Sequence, residues 1–241
     1  IFDSIHKFCR LSLYRAATEY YGCSEKAGLW MFPEKIVKSD RFQMIFNAVD
    51  LKKFTYSSAV RDDVRKELNL ENKFVVGHVG NFVYQKNHYF LIDIFEELKR
   101  KCPEAVLLLL GRGERFETVE KRIKEKGLED SVRLLGFRKD PDRLFQAMDF
   151  FLLPSYFEGL PTVGVEAQCT GLPSLMSDTI TTEVKITENC WFLPLKEKPE
   201  VWADFILKHR ETDREHISWI GKKEAYSLET LKKQQQRLLE K

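Results

Sequence analysis

The features that mark special classes of protein are scarce in this chain of 241 residues. Its five cysteines, Cys9, Cys23, Cys102, Cys169 and Cys190, are odd in number, widely spaced and without a Cys-x-x-Cys. That pattern excludes a disulfide or zinc framework and points to reduced thiols in the cytosol. The five histidines, His6, His78, His88, His209 and His216, form no set with metal-ligand spacing, so no metal is expected. Apolar runs fall well short of the ~20 residues that cross a bilayer, and no signal peptide is visible. A net charge of +2 gives no electrostatic footprint for nucleic acid. Basic residues gather near Arg10 to Arg15 and Lys232 to Arg237, where solvated helix faces account for them. Repeats and low-complexity stretches are absent. Ile1 stands where a methionine would begin a chain, and the expectation is that an amino-terminal segment is missing.

What remains is an ordinary globular balance, 43% hydrophobic and 32% charged. Residues 2–21 read as helical. Tyr20 to Ser24 reads as a strand end, with Ser24 capping a helix through Trp30. Phe42 to Asn47 reads as a short strand, and Ser57 to Leu70 as a polar helix. From Phe74 onward strands and helices alternate. The strands are 74–80, 105–110, 132–136, 150–153 and 173–176. Ala105 to Leu110 is almost wholly apolar, as a strand covered on both faces must be. Asn87 is expected to cap the helix whose apolar face is Phe90, Leu91, Ile94, Phe95 and Leu98. Helices are also expected at 116–126, ending at Gly127, at 140–148 and at 161–169. The tail from Glu200 reads as helical and polar, with Ser227 capping a last helix. This alternation is that of an α/β fold, a doubly wound parallel sheet of Rossmann-like type with carboxyl-terminal helices. Ligands on such sheets bind outside the carboxyl ends of the strands.

One segment there carries chemistry. Glu158 and Glu166 lie within Ser155-Tyr156-Phe157-Glu158-Gly159-Leu160-Pro161-Thr162-Val163-Gly164-Val165-Glu166. Glu158 follows a buried strand, Pro161 suits a first helical turn, and Glu166 lies inside that helix. Between the two acids, the helix start offers free N–H groups for an anion. Such a site suits a ligand with both hydroxyls and phosphates. Spacing alone leaves open an ordinary strand–turn–helix with two solvated acids. Elsewhere, Lys86 closes Gly80-Asn81-Phe82-Val83-Tyr84-Gln85-Lys86, and Gly111-Arg112-Gly113-Glu114 makes a glycine turn.

In this order, these segments with Leu135-Gly136-Phe137-Arg138 resemble the donor-binding, carboxyl-terminal half of GT-B glycosyltransferases of family 4. Ser177 to Thr187 with Phe192-Leu193-Pro194-Leu195 is similar to the capsule and exopolysaccharide branch. Asn47-Ala48-Val49-Asp50 is similar to that family's interdomain turn. The resemblance runs from about Tyr20 to the end of the chain. It implies three parts: 1–50, a remnant of the acceptor domain with the linker; 51–208, the nucleotide-sugar domain; and 209–241, carboxyl-terminal helices. It further implies a retaining enzyme moving a sugar from a nucleotide-diphosphate sugar, most simply UDP-linked, to a surface-polysaccharide or lipid-linked acceptor. The enzyme would be cytoplasmic, with room for contact at the inner membrane face, and would need no metal or other cofactor.

The resemblance assigns roles residue by residue. Glu158 would face the donor sugar and its phosphates, and Lys86 would hold the diphosphate; these are the catalytic pair. Glu166 would bind the ribose hydroxyls. Gly159, Leu160, Pro161 and Thr162 would cradle phosphate at the helix start. Phe137 and Arg138 would lie at the base, and Glu183 matches a glutamate after the fifth strand. Asn81 stands where the family has an arginine, so one cation is absent unless Arg112 or Arg138 replaces it. Other readings compete. A non-catalytic relative would keep the fold for binding. A dinucleotide protein would use Gly111-x-Gly113 but lacks the third glycine. A glycoside hydrolase would use the two acids directly. His78, Cys169, Trp191 and Phe192 are expected to be structural, with Tyr156 and Phe157 packing their loop.

Overall fold

The computed structural model describes residues 14, 16–220 and 223–240. Most of the helix expected at 2–21 lies outside them, and Tyr20 and Tyr21 belong to a strand. In chain order the elements are β1 (Tyr20–Gly22), α1 (Glu25–Met31), α2 (Glu34–Val37), β2 (Phe42–Met44), α3 (Ser58–Glu67), β3 (Phe74–Val79) and α4 (His88–Lys101). There follow β4 (Ala105–Leu110), α5 (Phe116–Glu125), β5 (Val132–Gly136), α6 (Pro141–Ala147), β6 (Phe150–Leu153) and α7 (Thr162–Cys169). β7 (Ser174–Ser177), β8 (Cys190–Leu193), α8 (Pro199–Lys208) and α9 (Leu228–Leu239) complete the chain. β1 and β2 pair with each other in parallel. The other six strands form one sheet in the order β5-β4-β3-β6-β7-β8, and every pairing is parallel. This is the expected doubly wound parallel sheet of Rossmann-like type. Its strand order reverses between β3 and β6, which opens a crevice at that point.

Period-two alternation divides the core into two layers. Val75, Val106, Leu108, Leu110, Phe151 and Leu153 pack with Val64 of α3, Leu144 and Phe145 of α6 and Val165 of α7. Their sequence neighbours Val76, Leu107, Leu109, Phe150 and Leu152 pack against α4, α5 and α8 on the other face. Leu91, Ile94, Phe95 and Leu98 of α4 are fully buried. Each such side chain contributes about 1.5–3 kcal/mol. Gly77 makes room for Met148, the residue that ends α6, because a Cβ there would meet the Met148 sulfur at 2.0 Å.

Several local expectations hold, and others are corrected. Ser24, Ser57 and Ser227 accept hydrogen bonds from the first turns of α1, α3 and α9. Asn87 occupies the capping position of α4, but its side chain makes no capping hydrogen bond. Its backbone is left-handed, with φ +53°, a conformation asparagine tolerates better than most residues. β8 is a sixth strand of the sheet that the sequence pattern did not reveal, and Trp191 and Phe192 on it are only half-buried. Residues 209–220 contain no helix. The buried Arg214 instead anchors this stretch, donating to the carbonyls of Phe145, Gln146, Met148 and Thr170. Those carbonyls lie at the carboxyl ends of α6 and α7, where a cation is favoured. Burial nevertheless lowers the Arg214 pKa to about 9.

Candidate active site

The crevice between β3 and β6 is built by the loops that follow those strands. Gly80 to Asn87 leaves β3, and Pro154 to Pro161 leaves β6. Tyr84–Lys86 forms a single tight turn. The Tyr156 N–H donates to the Gln85 carbonyl at 2.8 Å, and the rings of Tyr84 and Tyr156 stack at 4.7 Å. The loop after β4 lies directly on this platform. A Cβ on Gly111 would meet the Gly80 carbonyl oxygen at 2.0 Å, and one on Gly113 would meet the Phe82 backbone at 2.5 Å. Only glycine permits that backbone contact.

The resulting cleft has a volume of about 440 Å³. Lys86 and Glu158 face each other in it, with Nζ 2.6 Å from Oε1. Gln85 Nε2 donates to the other Glu158 oxygen at 2.8 Å. Both members of the ion pair are nearly buried, at 14% and 8% side-chain exposure. Beside them Leu160, Pro161, Thr162 and Val163 bring the start of α7 to the cleft wall. The first turn of that helix leaves amides without intrahelical partners. Gln168 fixes α7 from behind, donating to the carbonyls of Gly164 and Val184 and accepting from the amides of Ile186 and Thr187.

Glu166 also lines the cleft, one turn beyond Thr162. Burial raises its pKa to about 7, with Asp142 adding to the shift and Lys53 opposing it. Phe137 and Arg138 form the far wall. Phe137 is 62% exposed, a flat ring open to solvent. The Arg112 guanidinium lies 5.2 Å from its centroid. Arg138 is already neutralised by Asp140 through two hydrogen bonds of 2.8 Å. Among the described residues no carboxylate lies within ion-pair distance of Arg112. Asn81 is exposed at the cleft edge.

The structure thus gathers every expected donor-site residue except Gly159. Gly159 faces away, lines a neighbouring apolar groove and accepts the Ser24 hydroxyl at 2.8 Å through its carbonyl. Glu183 is likewise outside the cleft. Its carboxylate accepts from the Glu25 N–H and the Thr181 hydroxyl, capping α1. His78 is buried as expected but only half satisfied. Its Nδ1 lies 2.9 Å from the Leu152 carbonyl, and its Nε2 has no partner. Nor did the sequence reveal that His88 lies edge-on to it, with ring centroids 4.9 Å apart, while the His88 ring stacks on Phe82. Burial, reinforced by the Lys86 charge, lowers the His88 pKa to about 4. His78 is also held well below its ordinary range, first by burial and then by His88. Two neutral imidazoles therefore underlie the loop that carries Lys86. Among the described residues no group of three or more His, Cys, Asp or Glu side chains is placed to hold a metal ion.

A cation and an anion at the switch point, a helix start, a half-buried carboxylate and an open aromatic ring come together in this cleft, a set of groups able to meet both anionic and hydroxyl partners. Residues 60–208 match the family described as "Glycosyl transferases group 1", and the chain belongs to that family. The chain is 32% identical over 227 residues to EpsF of Bacillus subtilis (strain 168), covering 89% of this chain and 58% of that protein. The capsular polysaccharide biosynthesis glycosyltransferase CapH of Staphylococcus aureus is 26% identical over 198 residues, covering 78% of this chain and 49% of CapH. The crystal structure of Anabaena Alr3699/HepE in complex with UDP and glucose superposes with a TM-score of 0.83 at 21% identity. That alignment covers 98% of this chain and 66% of HepE, so the chain spans about half to two thirds of these three proteins.

Proposed function

We propose that this chain supplies the donor site of a retaining glycosyltransferase that takes a nucleotide-diphosphate sugar, UDP-linked, and passes the sugar to a surface-polysaccharide or lipid-linked acceptor. The observation that carries the reading is Lys86 and Glu158 meeting at 2.6 Å beside the start of α7. Breaking a sugar–phosphate bond leaves negative charge on the departing diphosphate. Lys86 and the α7 amides would receive that charge without a metal. Glu158 would then accept hydroxyls of the transferred sugar, and Glu166 those of the ribose; hydrogen bonds to a carboxylate are about twice as strong as neutral ones. Phe137 offers the base a stacking face. With Asn81 in place of an arginine and Arg138 held by Asp140, Arg112 would be the second cation. Leu160, Pro161 and Thr162 would cradle the phosphates.

We read the transfer as retaining configuration, a reading that membership of this family supports. HepE, crystallised with UDP and glucose, supports the choice of nucleotide, and CapH supports a surface polysaccharide as product. We assign 1–50 to an acceptor domain and its linker, 51–208 to the donor domain and 209–241 to a carboxyl-terminal extension. The separate two-stranded pairing of β1 and β2 supports the first boundary, since such a pair is rarely stable alone. No described helix is long and apolar enough to cross a membrane. We place the enzyme in the cytoplasm, working at the inner membrane face. Asn81 keeps one second reading in view, a relative that binds nucleotide sugar without turnover. Transfer from UDP-sugars by the full-length protein decides between them: binding with no transfer favours the second reading.

A further inference from the structure

The donor site of the free protein is self-neutralised. Lys86 is held by Glu158 at 2.6 Å, and Gln85 holds the second carboxylate oxygen at 2.8 Å. The two segments are joined by the Tyr156–Gln85 backbone hydrogen bond and the Tyr84–Tyr156 stack, so this pair is built into the site. A diphosphate that enters must draw the ammonium away from the carboxylate or share it. The carboxylate also repels the diphosphate directly. A nearly buried carboxylate stripped of its cation is costly unless new donors reach it. The two ligands in the reaction differ on this point. A nucleotide sugar brings sugar hydroxyls that donate to Glu158. The nucleoside diphosphate left behind brings none, and its terminal phosphate carries additional negative charge.

We propose that Glu158 discriminates donor from product, yielding Lys86 to a ligand whose sugar hydroxyls replace it and expelling the nucleoside diphosphate once the sugar has left. The inference rests on the donor-site reading above and adds to it a role in product release. Calorimetric titration of the protein with UDP and with UDP-glucose tests it. The wild-type protein should bind UDP-glucose more tightly than UDP. Glu158→Gln should tighten UDP binding about tenfold or more, ~1.4 kcal/mol, while UDP-glucose binding stays equal or weakens. Glu158→Ala should move UDP in the same direction. Should wild type bind UDP as tightly as UDP-glucose, or should both variants leave UDP affinity unchanged or lower, the inference is overturned while the donor site stands. If no protein binds either nucleotide, the donor-site reading is overturned along with it.

Discussion

Replacing Glu166 by glutamine should remove a pH dependence of stability that this one carboxyl imposes. Burial raises its pKa from the ordinary 4.5 to about 7, so the folded chain keeps this proton where the unfolded chain has lost it. The contribution to stability is therefore fully present below pH ~4.5 and declines as pH rises through about 7. A shift of that size corresponds to ~3 kcal/mol. Wild type and Glu166→Gln should be matched near pH 4, and the variant should be the more stable by up to ~3 kcal/mol at pH 8. Urea unfolding of both proteins across pH 4–8 reads the difference. Ligand binding should run the opposite way. A carboxylate accepts ribose hydroxyls better than a carboxylic acid does, so wild-type affinity for UDP should rise as pH passes through 7, and that of the variant should not. Parallel stability curves for the two proteins from pH 4 to 8 would refute the placement of Glu166 in a half-buried cleft.

The remaining predictions test other parts of the site. Lys86→Ala in the full-length enzyme should lower the transfer rate about 10²–10³-fold with the melting transition preserved, as loss of a charge-stabilising group does; steady-state kinetics checks it. Phe137→Ala should weaken UDP binding by about 1–3 kcal/mol through loss of a stacking face, and calorimetry would show it. Gly111→Ala places a Cβ 2.0 Å from the Gly80 carbonyl at φ +147°, so urea unfolding should register a loss of about 1–3 kcal/mol or more, together with weakened nucleotide binding. Arg112→Ala should weaken UDP binding more than Arg138→Ala, because Arg138 is already paired with Asp140.

Most of the sheet was legible because its strands are short apolar runs between turn signals, as in Ala105–Leu110 and Phe150–Leu153. β8 was not, since Cys190–Leu193 is an edge strand in which Trp191, Phe192 and Leu193 are only partly covered, and no helix stands between it and β7. Asn87 was misread because residue type predicts a side-chain cap, whereas this site uses the tolerance of asparagine for a left-handed backbone. The glutamate segment and Lys86 were each visible as local motifs. Their direct ion pair was not, because it joins residues 72 positions apart, and neither was the part played by Gln85 in holding Glu158. The neutral His78–His88 pair is much closer in sequence, but it too arises only when α4 packs beside β3. Gly159 lies between cleft residues in sequence and Glu183 in the loop after β7, yet the backbone directs both toward α1.

A crystal structure of the protein with UDP-glucose bound tests the central claim most directly. The diphosphate should lie within hydrogen-bond distance of Lys86 Nζ and the first amides of α7, with the ribose on Glu166 and the glucose beside Glu158. A nucleotide bound away from the β3–β6 crevice, with Lys86 and Glu158 still joined and untouched, would contradict it.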